Sequence, residues 1–233
     1  MKKLISFIVN YVKAMPRCAR ILLVTSFALQ LLSYYATMFF TVGEPRVLSS
    51  ALDDSIPMVP VFIWVYLLAF PFWVWGLTRA YADSRELCVR VFTADVLSKL
   101  VCVFAFILYP CTMVRPEPDT IHGIGAWAVK IIYALDGGKS PMNLLPSMHC
   151  YLSVMVCIPM FTRWAVKPTG IKLKTFFCVF ALMICASTLL VKQHVVLDVV
   201  TGMPLAVVSW WVSLLIWKIV DKTKHNKLPE GGN

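Results

Sequence analysis

His149, His194 and Asp198 are the residues of this chain best suited to chemistry. His194 and Asp198 have i,i+4 spacing, which on a helix places them one turn apart on one face. A carboxylate so placed accepts from one ring nitrogen, sets the tautomer and leaves the other nitrogen as nucleophile or base. His149 ends the string Pro146-Ser147-Met148-His149, in which Ser147 is a good N-cap. Free N–H groups at such a helix start favour an anion. Arg115 offers a planar fork to phosphate oxygens, and Lys192 is a second cation close to His194. Together these residues make a phosphoryl-transfer set that needs no metal. A zinc site can be drawn from His122, His149, His194 and Asp198, but His194 to Asp198 is its only regular spacing, so no metal or other cofactor is expected.

The elements that must position these residues are membrane helices. The chain has 233 residues, of which 59% are hydrophobic and only 15% charged. A soluble domain carries about a quarter charged residues. Several apolar runs approach the roughly 20 residues that a spanning helix needs, and they are continuous rather than alternating. The expected fold is all-α, a polytopic bundle of six spans near residues 21–42, 59–77, 91–113, 147–164, 175–191 and 194–220. An amphipathic segment over residues 1–20 precedes them, with Leu4, Ile5, Ile8, Val12 and Met15 opposite Lys2, Lys3, Asn10 and Lys13. The bundle reads as one domain, 21–220, followed by a polar tail, 221–233. Asp95 and Lys99 fall near the start of the third span and read as a snorkelling lysine with its counter-ion. Asp136-Gly137-Gly138 reads as a turn. The eight cysteines lie mostly inside apolar runs without a Cys-x-x-Cys pair, and read as small buried hydrophobes.

The net charge of +10 does not point to nucleic acid, because its distribution follows topology. Most of the 22 Lys and Arg fall in the N-terminal segment, the second–third loop, the fourth–fifth loop and the tail. The other side holds only Arg46, Arg115, Lys130, Lys139 and Lys192. The positive-inside rule then places both termini in the cytoplasm. Arg115, His149, His194 and Asp198 consequently share the outer face, with the cell membrane the expected location.

The ordered motifs resemble those of the type 2 phosphatidic acid phosphatase superfamily, whose pattern is Lys-x6-Arg-Pro, Pro-Ser-Gly-His and Ser-Arg-x5-His-x3-Asp. Here the first stands as Arg115-Pro116, the second as Pro146-Ser147-Met148-His149, and the third as Ser187-Thr188 followed by His194 and Asp198. Leu108 stands where the pattern has its lysine, Thr188 where it has its arginine, and Met148 where it has glycine. The stretches Asn143–His149 and Lys192–Asp198 look closest to the branch similar to inositol phosphorylceramide synthases. The resemblance implies a phosphorylated lipid substrate, a phosphohistidine on His194 assisted by Asp198, and His149 as general acid and then base. Arg115, Ser147 and Lys192 would hold the phosphate. It also implies that the acceptor is either water, as in a phosphatase, or an alcohol, as in a phosphotransferase. The missing cations leave a transporter or lipid-binding protein as a further reading.

Overall fold

Among the residues that the computed structural model describes, five helices are long and apolar enough to cross a membrane. The structure describes residues 10, 13, 15–37, 39–136, 138 and 141–225. The amphipathic segment expected over residues 1–20 falls largely outside them, as does the end of the tail. The long helices are α1 (Arg17–Thr37), α3 (Ile63–Tyr81), α4 (Arg85–Leu108), α7 (Ile171–Leu190) and α8 (Val196–His225). Between α1 and α3 come a two-residue strand β1 (Arg46–Val47) and a short helix α2 (Ala51–Ser55). Between α4 and α7 lie β2 (Cys111–Thr112), α5 (Ala126–Leu135) and α6 (Met148–Met155). β1 and β2 pair in parallel, Arg46 with Cys111 and Val47 with Thr112.

The two ends of the bundle are tied separately. At one end, Val42 N–H donates to Ile107 O at 2.8 Å and Val59 N–H to Leu190 O at 2.8 Å. At the other end, the Asp83 carboxylate accepts from the N–H groups of Val166 and Lys167 at 2.6 and 2.8 Å. Arg79 reaches Thr169 Oγ1 there at 2.9 Å. The first end carries β1, β2, α2 and α5, and it carries the start of α6 and of α8.

The stretch expected as a fourth span, 147–164, is not one long helix. It is the eight-residue α6 followed by a 3-10 turn, Ile158–Phe161, with Pro159 near its start. Proline has no N–H to give to a continuing α-helix. The segment is short because it need not meet lipid. Tyr151, Leu152 and Met155 are fully buried and packed among Trp73, Leu77 and Phe177 of α3 and α7. Leu31, Phe104, Leu182, Val208 and Leu215 of the long helices are exposed instead, as a lipid-facing surface requires.

Asp95 and Lys99 differ from expectation in depth. α4 begins at Arg85, where Ser84 caps it by accepting from Leu87 N–H, and not near Val91. Lys99 therefore lies in mid-helix, where it cannot snorkel. Both residues are buried, and the Lys99 ammonium is bonded to Asp95 Oδ2 and to Ser26 Oγ. Ser26 O–H in turn donates to Asp95 Oδ2 at 2.7 Å. Removing one partner of a buried pair leaves the other charge uncompensated, at about 3–5 kcal/mol. Lys99→Met is expected to lower thermal stability in detergent by that order, and adding Asp95→Leu to recover most of it.

Candidate active site

The site forms where the first turns of α6 and α8 meet. The chain leaves α7 through a tight turn in which Lys192 has φ of 51° and Thr188 O accepts from both Gln193 N–H and His194 N–H, at 2.9 and 3.1 Å. α8 then starts with Asp198 in its first turn. Asp198 Oδ2 accepts the Val195 N–H at 3.0 Å, half of a capping box, and stands 3.1 Å from His194 Nδ1. That contact assigns the proton to Nδ1 and leaves the Nε2 lone pair free, since a carboxylate can only accept. A second carboxylate, Asp53 of α2, accepts the Val196 N–H at 2.7 Å. Burial alone would raise the Asp53 carboxyl, but hydrogen bonds from Ser50 and Val196 and the charge of Lys192 outweigh it and hold the group below its usual value.

Opposite, Ser147 caps α6 by accepting the Cys150 N–H at 3.3 Å, and its own N–H donates to Asp198 O at 3.1 Å. This second bond ties the two helix starts together. The contact is close because Gly202, one turn beyond Asp198, has no side chain. A Cβ there would stand 2.6 Å from Ser147 O.

His149 follows in α6 and is boxed by rings. It stacks on Tyr66 at 4.4 Å between centroids and meets Trp73 at 5.0 Å and Phe70 at 6.0 Å. Trp73 is itself held by its Nε1–H donating to Ser153 Oγ at 2.9 Å. The His149 and His194 rings lie 6.0 Å apart, and both line one cavity of about 270 Å³. Buried His149 Nε2 has no hydrogen-bond partner among the described residues. Apolar and aromatic residues of α1, α3 and α5, including Leu31, Phe70 and Leu135, form much of the wall, and Gln30, Asp136, Asn143 and Gln193 add polar groups to it. Leu31, Phe70 and Leu135 are exposed on the bundle's outer surface, so the cavity meets the lipid-facing side.

The expected cations are placed less directly. Arg115 is buried behind the cavity wall and not on it. Its guanidinium donates to Asp136 O and Gly138 O at 3.1 and 2.9 Å, to Asp136 Oδ2, and to Gln193 Oε1 at 2.8 Å. It also lies 4.6 Å from the Tyr133 ring centroid. Burial lowers Arg115 to about 10, and burial pushes the Asp136 carboxyl up to about 7. The guanidinium facing that carboxyl favours its ionised form. Lys192 turns away from the histidines. Its ammonium donates to Asp53 O and Ile56 O at 2.7 and 2.6 Å, which fastens α2 to the start of α8. No Lys or Arg is among the described residues that line the cavity. His122 is exposed and outside it.

Sequence reasoning did not find Asp136, Gly202, or the ring box of Tyr66, Phe70 and Trp73. Asp136 read as a turn residue, and its partner Arg115 is a loop away. Gly202 did carry a signal, because it lies four residues after Asp198 and so on the same face of α8.

The family model described as the PAP2 superfamily matches residues 87–222. The chain belongs to the PAP2 superfamily. No curated protein and no solved structure gives a significant match. The matched region of this PAP2 protein runs from α4 to α8 and contains Arg115, His149, His194 and Asp198. PAP2 superfamily members are phosphatases and phosphotransferases, and membership together with the long apolar helices fits a membrane lipid phosphatase. At the two positions where the PAP2 pattern carries a cation and this chain does not, Leu108 ends α4 on an exposed site and Thr188 is buried, its hydroxyl donating to Cys185 O at 2.7 Å.

Proposed function

We propose that the chain is a metal-independent lipid phosphatase or headgroup phosphotransferase that works at the outer membrane face through a phosphohistidine. The observation that carries this reading is the His194–Asp198 pair, with Nε2 free, facing His149 across 6.0 Å in one cavity. His194 Nε2 attacks phosphorus, the N–P bond forms and the ester O–P bond breaks. His149 protonates the departing alkoxide. It then takes the proton of a water or alcohol, whose oxygen forms the new bond to phosphorus as the N–P bond breaks. Asp198 keeps His194 in the productive tautomer and balances its charge. The first N–H groups of α6, beyond the Ser147 cap, have no intrahelical acceptor and favour the phosphate oxygens.

In this proposal the six crossings form one membrane unit over residues 21–220, the fourth being the short α6 segment. Both termini are cytoplasmic, because the basic residues crowd the end opposite the histidines. The lipid enters from the side, with its chains against Leu31, Phe70 and Leu135 and its headgroup at the histidines. Lys192 contributes by position, through its bonds to α2.

Among the described residues, Arg115 is the cation bonded to a side chain of the cavity wall, Gln193, and Asp136 competes for it. Asp136→Asn is expected to lower KM several-fold, and Arg115→Ala to raise it by about 10-fold or more, as lost charge-assisted bonds would. Lipid-resolved mass spectrometry of purified protein with chelator, phosphorylated lipids and acceptor alcohols tests the function. Free phosphate beside a dephosphorylated lipid supports hydrolysis, and a headgroup-transferred lipid supports transfer. A protein that binds or moves these lipids with no product from any of them would sink the proposal in favour of a transporter.

A further inference from the structure

Three amide side chains line the cavity, and each is oriented by a partner on its far side. Gln193 Oε1 accepts from Arg115 at 2.8 Å, so its Nε2 is the free end. That nitrogen is buried without a hydrogen-bond partner among the described residues. Asn143 is oriented the opposite way. Its Nδ2 donates to Tyr34 O at 2.7 Å, and its buried Oδ1 has no partner among the described residues. Gln30 Oε1 accepts from Tyr151 O–H at 3.0 Å, and the partner of its Nε2 among the described residues is Met148 Sδ, a weak acceptor at 3.4 Å.

Tyr151 has a single hydroxyl proton, and of its two acceptors Gln30 Oε1 is the nearer, at 3.0 Å. Tyr151 O–H also stands 3.4 Å from Asp95 Oδ1, and Asp95 is held by Lys99 and Ser26. The intramembrane ion pair thus ends, through Tyr151, on a cavity wall. Such partners are what distinguish the oxygen of an amide from its nitrogen. Here they specify two donors, Gln193 Nε2 and Gln30 Nε2, and one acceptor, Asn143 Oδ1. Asp136 Oδ1, also buried and without a partner among the described residues, adds a second acceptor on the same wall.

Buried unpaired polar groups cost stability, and several around one cavity call for an explanation. An ionised phosphate offers acceptors alone, so it can meet the glutamines but not Asn143 Oδ1. An acyl or prenyl chain meets none of them. A hydroxyl both donates and accepts, and fits the mixed set.

We propose that Asn143, Gln193 and Gln30 form a subsite that reads a hydroxyl group beside the histidine pair. The inference rests on the phosphoryl-transfer reading and narrows its substrate class. The hydroxyl belongs either to the lipid, next to its phosphate, or to the incoming alcohol. In the second case the alcohol oxygen forms the bond to phosphorus, the N–P bond to His194 breaks, and His149 takes the hydroxyl proton.

Two arms separate these sources. In the first, binding of lysophosphatidic acid and of its 2-deoxy analogue is compared on the catalytically blocked His194→Ala protein, alone and with Asn143→Leu or Gln30→Leu added. A lipid hydroxyl predicts a preference of about 10-fold or more for the hydroxylated lipid, falling close to parity in the added variants. In the second arm, product is partitioned between glycerol and water with His194 intact. An incoming hydroxyl predicts a bias towards glycerol beyond its molar share, reduced by the same two substitutions. Two substitutions guard against one that simply misfolds. No preference in either arm, or a preference that survives both substitutions, overturns the subsite. If His194-intact protein makes no product from any lipid, the proposed function fails, and the binding arm alone decides the subsite.

Discussion

Replacing His194 with alanine is expected to cut turnover by about 10³-fold or more, as loss of a covalent nucleophile does. The fold should survive. Asp198 Oδ2 keeps the Val195 N–H, and Asp53 keeps the Val196 N–H, so the start of α8 stays capped. His149→Ala is expected to lose about 10²–10⁴-fold with an ordinary lipid ester, the range of general acid–base catalysis. The two variants part company with an activated ester, whose leaving group needs no proton. His149→Ala should recover much of its rate for formation of the phosphoenzyme there, and His194→Ala none. Turnover assays on both esters, with unfolding curves beside them, check the pair. Equal recovery by both variants would remove the distinction between nucleophile and acid.

The second large effect is expected at Gly202, which makes no chemistry. A methyl group there meets Ser147 O at 2.6 Å and Ser147 N at 3.2 Å, and backbone atoms cannot rotate away. α6 and α8 must separate, which strains or breaks the Ser147 N–H bond to Asp198 O. Overpacking of this kind costs about 1–3 kcal/mol. The catalytic cost should be larger, because His149 rides on α6 and His194 on the turn leading into α8, and these are being pushed apart. A misplacement of about 1 Å can cost about 100-fold in rate. Gly202→Ala is therefore expected to lose activity out of proportion to its lowered Tm. Gly170→Ala is the control. Nothing lies within 4 Å of a Cβ there, and its φ of −64° suits any residue.

The candidate pair His194 and Asp198 is legible because its spacing is local. The spacing suggests one helical turn, whereas His194 lies two residues before α8 and meets Asp198 across the helix start; His149 is brought to the same site by span order. What was not legible depends on side-chain direction after tight turns. The positive φ at Lys192 points its side chain to the carbonyls of α2, although its neighbour His194 lines the cavity. Arg115 reached the right neighbourhood but is held there by Asp136 and Gln193, and no spacing rule predicts a bond across such a loop. The fourth span was read from hydropathy, which does not tell a helix buried among helices from one in lipid. Asp95 and Lys99 were misjudged by helix start alone: six residues of added helix at Arg85 move them from the membrane edge into the interior.

Trapping the phosphoenzyme tests the proposed role of His194 directly. Purified protein is mixed with a lipid carrying a labelled phosphate, quenched within a turnover, and its label mapped by mass spectrometry under conditions that preserve phosphohistidine. An acid-labile phosphoryl group is expected on His194, absent in His194→Ala and longer-lived when His149 is replaced and an activated ester is the donor. A competent enzyme that turns over its lipid with no label on any residue, or with the label elsewhere than His194, would contradict that role.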